Sequence, residues 1–178
     1  MTRGWSQASA TFGVALRFFF RHYAAIAAFG ALASAQRFLA VSGDERFAFA
    51  GGVGGEVFTA VVRLMFLAWL VRTLFRAERA MPWAQLGRRL SRFVAGNAPM
   101  LLASAAMLVG LTLVFKVVPE LLAADLSPDA HATFLSWELA IKNVTVIPFV
   151  MVWVTTIARE ALRASDHATD REREPASA

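Results

Sequence analysis

The chain has 178 residues, of which 57% are hydrophobic and only 17% charged. Its mean hydropathy is +0.52, whereas soluble domains carry about 25% charged residues. It has no cysteine, which excludes disulfides, thiolate metal sites and cysteine nucleophiles. The net charge is +5 and the pI near 10.9, but the arginines flank apolar blocks, so anionic lipid is the expected partner and nucleic acid is not.

Residues 2–20 begin with Arg3 and Trp5 and then place Phe12, Leu16, Phe19 and Phe20 near helical spacing, with Arg17 and Arg21 between or just after them. This pattern predicts an amphipathic helix on the membrane surface that leads into the first span. That span covers about 23–41, is rich in alanine, and holds Gly30 and Ser34 four residues apart, a spacing that lets a neighbouring helix approach closely. Residues 42–46 form a polar loop, followed by a glycine cluster at 51–55 and a second span over about 53–71, closed by Arg72, Arg76 and Arg79. The Gly51 to Gly55 spacing reads either as a flexible lead into this span or as a close helix contact or dimer seam.

Residues 80–95 repeat the opening theme: Trp83, Leu86, Leu90 and Phe93 alternate with Arg88, Arg89 and Arg92. Asn97 is the expected N-cap of a third span over about 98–115, with Pro99 tolerated in its first turn. A second loop is expected over 116–133, punctuated by Pro119 and Pro128. The fourth span covers about 134–157, is kinked by Pro148 with Thr145 or Asn143 able to satisfy the freed carbonyl, and is closed by Arg159 and Arg163. The tail 165–178 is polar and expected to be disordered.

The chain therefore reads as an all-α integral membrane protein with four transmembrane helices and no separate soluble core. The halves 1–80 and 81–164 share their order of elements. Residues 18–30 align with 93–105 at an offset of 75, and 66–80 with 150–164 at an offset of 84, where Trp69 meets Trp153 and Arg79 meets Arg163. The pattern is a duplicated helix hairpin with an interfacial amphipathic helix before each half, a parallel repeat about the membrane normal. Thirteen of the eighteen Lys and Arg lie in the N-terminal segment, the middle connection or the C-terminal segment. The positive-inside rule then places both termini and the middle connection in the cytoplasm, with the surface helices on that face. Composition points to a bacterial inner membrane. Arg17, Arg21, Arg72, Arg76, Arg88, Arg89 and Arg92 are the expected contacts to anionic lipid. Ala33-Ser34-Ala35 has the small-x-small form of a signal-peptidase site. Cleavage there would leave Phe12 to Phe20, an apolar run, in the basic leader region and would break the repeat, so the segment is expected to be kept.

Several charges fall inside or near the spans, where they are expensive and mark candidate sites. Arg63 is nearest the midplane, nine residues or roughly 13 Å before Arg72. Glu56 lies seven residues before it on the same face. Glu138 and Lys142 are four apart in the favourable order, and Arg37 stands with Gln36 toward the outer end of the first span. The offset of 84 sets Lys142 level with Phe58, so Glu56 is expected to pair with Lys142 across the second and fourth spans, leaving Arg63 to reach Glu56, Ser34, Ser104, water or an anionic ligand. Two readings remain. In one, Arg37, Glu56, Arg63, Glu138 and Lys142 tie helices together. In the other, they line a net-positive pocket for an anionic headgroup or solute.

No metalloprotease, nucleophile-elbow, phosphate-loop or dinucleotide motif occurs, and the three histidines are scattered. Glu56 and Glu138 could act as paired carboxylates, but each has a basic neighbour. No cofactor, metal or catalytic residue is expected. In texture, the aromatic and basic surface helix that leads through Arg21-His22 or Gly96-Asn97 into a small-residue span (residues 12–35 and 90–109) resembles a loose group of bacterial multi-pass membrane proteins. The group includes the membrane region of some glycerophosphodiester phosphodiesterases. Their catalytic domain has no counterpart here, so the resemblance implies a membrane fold and no activity. The function expected is that of a non-enzymatic subunit or scaffold of a membrane complex, with a membrane-protein partner or a second copy. The alternative is a small transporter or lipid-handling protein.

Overall fold

The computed structural model describes residues 2–41, 45–76 and 83–173. Ser42, Gly43 and Asp44 of the first loop, Arg79 in the middle connection and residues 174–178 of the tail lie outside them. The described chain is all-helical. Its helices are α1 (Thr2–Arg21), α2 (Tyr23–Val41), α3 (Ala48–Gly51), α4 (Val53–Leu74), α5 (Trp83–Gly96), α6 (Ala98–Ala123), α7 (Pro128–Val144) and α8 (Val146–Arg173), with a 3-10 turn at Glu45–Phe47 before α3. Four helical stretches are long and apolar enough to cross a membrane: Tyr23–Ala40, Val53–Leu74, Ala98–Ala123 and Trp137–Arg163.

The helix boundaries follow from local chemistry. At His22 the helix barely breaks: its N–H is shared between the Phe18 and Phe19 carbonyls, and its own carbonyl accepts from Ile26. At Asn97 the break is wider. Asn97 holds the cap position of α6, but its side chain makes no cap hydrogen bond. It donates back to the Phe93 carbonyl at 3.0 Å and closes α5 instead. Pro99, the second residue of α6, has no N–H to offer, which removes one of the two donors that an N-cap side chain would accept.

The second loop is much shorter than the expected 116–133. α6 continues through Lys116 and Pro119 to Ala123, and α7 starts at Pro128. A proline inside a helix removes one backbone bond and crowds the preceding turn, yet the Val, Leu and Ala on either side of Pro119 carry the helix on. Pro128 sits in the first turn of α7, where its missing N–H costs nothing. At the other end of the chain, α8 runs to Arg173, nine residues into the segment expected to be disordered. Its Ala, Arg and Glu are good helix formers.

Packing is organised around the N-terminal helix pair. The most extensive contacts join α2 with α7 and α1 with α6, followed by α1 with α8 and α2 with α4. Along α1 and α2, Ala8, Thr11, Ala15, Phe19 and Ile26 are buried at steps of three, four and seven, one continuous helical stripe. On α4 the same logic selects Val62, Phe66, Leu70 and Leu74 at steps of four. Phe66, Leu70 and Leu74 meet Phe149, Val152 and Trp153 of α8 in the main core. A smaller cluster joins Ala8 of α1, Phe93 of α5, Met100 and Ala103 of α6 and Ala161 of α8. Edge-on ring pairs fix the alignment of α1 on α8: Phe12 on Phe149 and Trp153, and Phe19 on Phe149. Much of the apolar side of α1 is thus covered by α6 and α8, although Phe20 stays exposed.

Candidate functional site

The polar residues of the spans gather where α2 meets α4 on one side and α7 on the other. Toward the end holding the 42–46 loop, Gln36 bridges two elements. Its amide donates to the Ala50 carbonyl of α3 at 2.5 Å and accepts from the Thr59 hydroxyl of α4 at 2.9 Å. Gly55 completes this junction, because a Cβ there would lie 1.9 Å from the Ala50 carbonyl oxygen. The glycine spacing is therefore a close contact within the hairpin. Beside it Arg37 faces Glu56 in a long ion pair of 3.9 Å, with both side chains more than half exposed.

On the other side of α2, the Ser34 hydroxyl donates to the Ala140 carbonyl of α7 at 3.2 Å. One turn on, Glu138 and Lys142 form an ion pair within α7, both largely buried. The expected Glu56–Lys142 pair is not made. α2 packs against both α4 and α7, and each charge has a nearer partner: Glu56 on the adjacent α2, Lys142 one turn back on its own helix.

α7 and α8 part at Thr145 (φ −123°, ψ −74°). Pro148 has no N–H for the Val144 carbonyl four residues earlier. The Thr145 hydroxyl turns back to the Ile141 carbonyl at 2.6 Å, and the Phe149 N–H reaches the Thr145 carbonyl at 3.0 Å, so the helix resumes after the interruption. α2 seats its backbone against this break at Gly30. A Cβ there would lie 2.4 Å from the Asn143 carbonyl oxygen and 2.7 Å from the Val144 Cα, a contact that only glycine permits.

Next to that contact an open cleft of about 300 Å³ is lined by residues of α2, α4 and the α7–α8 break, among them Ala33, Val62, Arg63, Asn143, Ile147 and Pro148. Arg63 is exposed and has no ion pair or hydrogen bond among the described residues; it reaches neither Glu56, which faces Arg37, nor Ser34, which serves Ala140. The Ser104 hydroxyl and the Trp153 indole N–H are buried without hydrogen-bond partners among the described residues. Among the described residues no three His, Asp or Glu side chains come together to hold a metal ion.

The arginines expected as lipid contacts lie on α1, on α4 and just after it, and on α5. Arg17, Arg21, Arg72, Arg76, Arg88 and Arg92 are exposed, while Arg89 is half-buried and engaged. Phe93, next to the α5 arginines, belongs to the smaller core cluster, whereas Trp69, one turn before Arg72, packs with Phe18 and His22. The side chains of Trp83 and Leu86 lie outside the described ones.

The sequence located Arg63, the Glu138–Lys142 pair, the Pro148 kink and the small-residue contact at Gly30. It missed Gln36 as a bridge and Asn143 as a cleft residue. Asn143 carried a usable signal, a polar side chain one turn before Pro148 and 8% exposed in the fold. No family model, curated protein or solved structure matches this chain.

Proposed function

We propose that the chain is a multi-pass protein of the bacterial cytoplasmic membrane that serves as a non-enzymatic subunit or scaffold of a membrane complex. Both termini and the middle connection face the cytoplasm in this reading, because most of the basic residues cluster there. A duplicated hairpin is supported by the helix breaks at His22 and Asn97, which fall 75 residues apart, the offset that the sequence alignment of the halves has.

One observation carries the functional reading. Four polar contacts of the spans tie one helix to another: Gln36 to Ala50 and to Thr59, Ser34 to Ala140, and Arg37 to Glu56. Interhelical bonds of this kind hold bundles together. The rival reading, a transporter or lipid-handling protein, uses a net-positive pocket in the region of Arg63, Glu56 and Lys142. With Arg37 and Lys142 paired to carboxylates, Arg63 is left as a single basic group.

The test is affinity purification of the tagged chain from native membranes in mild detergent, with mass spectrometry of proteins and lipids. A stoichiometric protein partner is expected. A chain recovered alone with one enriched anionic lipid or solute would overturn the subunit reading in favour of lipid handling or transport.

A further inference from the structure

Of the five span charges singled out from the sequence, Arg63 is the one without a partner among the described residues. It stands in the middle of α4, where a lone guanidinium is costly in hydrocarbon and calls for an opposite charge. This chain's nearest span carboxylates, Glu56 and Glu138, are already engaged. Asn143 adds a second polar group on the cleft wall; it is 8% exposed and its side chain has no hydrogen bond among the described residues. The rest of the wall is mostly apolar, and beside Arg63 the α4 side chains Leu64, Leu67 and Val71 are exposed.

We propose that this cleft is the docking seat for a transmembrane helix of another protein, whose Asp or Glu side chain pairs with Arg63 while its apolar face lies along α4. The inference rests on the subunit reading and names the chemistry of the partner. The planar guanidinium donates two parallel N–H bonds to a carboxylate, and the Asn143 amide is a further donor. Depth agrees: Arg63 stands ten residues, about 15 Å, from the first residue of α4, whereas lipid headgroups lie at the ends of a span.

The full chain, reconstituted in phosphatidylcholine vesicles at pH 8, is titrated with three labelled Leu/Ala transmembrane peptides carrying a central Glu, Gln or Leu, and association is read by energy transfer. The Glu peptide is expected to bind about tenfold more tightly than the Leu peptide, with Gln between. Arg63→Gln should erase the preference and Arg63→Lys should retain part of it. Should R63Q fail to fold by circular dichroism, the three peptides on the unaltered chain decide alone. Equal binding of the three peptides overturns the proposal. So does loss of the Glu preference when phosphatidylglycerol replaces part of the lipid, which assigns Arg63 to a lipid phosphate. Energy transfer between copies of the chain that vanishes in R63Q, with no peptide preference, overturns it in favour of self-association. The subunit reading is separable. A native partner that R63Q retains removes this site and leaves that reading, while a Glu preference in vesicles with no native partner leaves the site and removes the reading.

Discussion

At Gly30 a single methyl group would meet backbone, and backbone cannot turn aside as a flexible side chain can. Gly30→Ala is therefore expected to cost about 1–3 kcal/mol in a denaturant titration in micelles. Gly110→Ala makes the control, since a Cβ there meets nothing within 4 Å; inside a helix it should cost nothing and gain about 0.5–1 kcal/mol. Equal losses at both positions would remove the close contact from the account. Gln36→Leu should cost about 1–2 kcal/mol in the same titration, because it leaves the Thr59 hydroxyl and the Ala50 carbonyl without their partner. A loss no larger than that of Leu113→Ala, an exposed α6 position, would show that the bridge contributes little. The depth of Arg63 was legible in the sequence because depth along a helix is a count of residues. The partners of Glu56 and Lys142 were not, because pairing depends on how each helix is rotated and on which helix is the neighbour. Only the fold supplies those two facts.

At the level of elements, the joint at His22 and the joint at Asn97 were both legible, since each interrupts an aromatic, basic helix just before a run of small residues. The length of α6 was not. Lys116, Pro119 and Glu120 look like loop residues one by one, but a helix ends where its backbone bonds end, and the neighbours of Pro119 keep theirs. The packing of α2 on α7 can be tested with no background thiols, as the chain has no cysteine. Ser34→Cys with Ala140→Cys should cross-link on mild oxidation, because the Ser34 hydroxyl already sits against the Ala140 carbonyl. Glu56→Cys with Lys142→Cys should not, since α2 packs against the helices that carry both. The reverse result would reinstate the pairing of Glu56 with Lys142.

For the molecule as a whole, the proposed orientation makes a simple demand on labelling. Ala124→Cys, exposed in the turn between α6 and α7, should react in intact cells with a membrane-impermeant maleimide. Gly87→Cys, exposed on α5, should react only after the membrane is permeabilised. Labelling of both in intact cells would invalidate the placement of the middle connection in the cytoplasm.

The pairing of α2 with α7 also bears on how the protein is made. Ser34 and the carbonyl that it bonds are 106 residues apart. A ribosome adding about 5–20 residues per second takes roughly 5–20 s to cover that distance. Through that interval the Gly30 face of α2 has no mate from its own chain, so the nascent protein waits with a bare glycine groove toward lipid. A chaperone or insertase that shields small-residue faces would act in that window, and slower translation of the second half would lengthen the exposure without changing the finished fold.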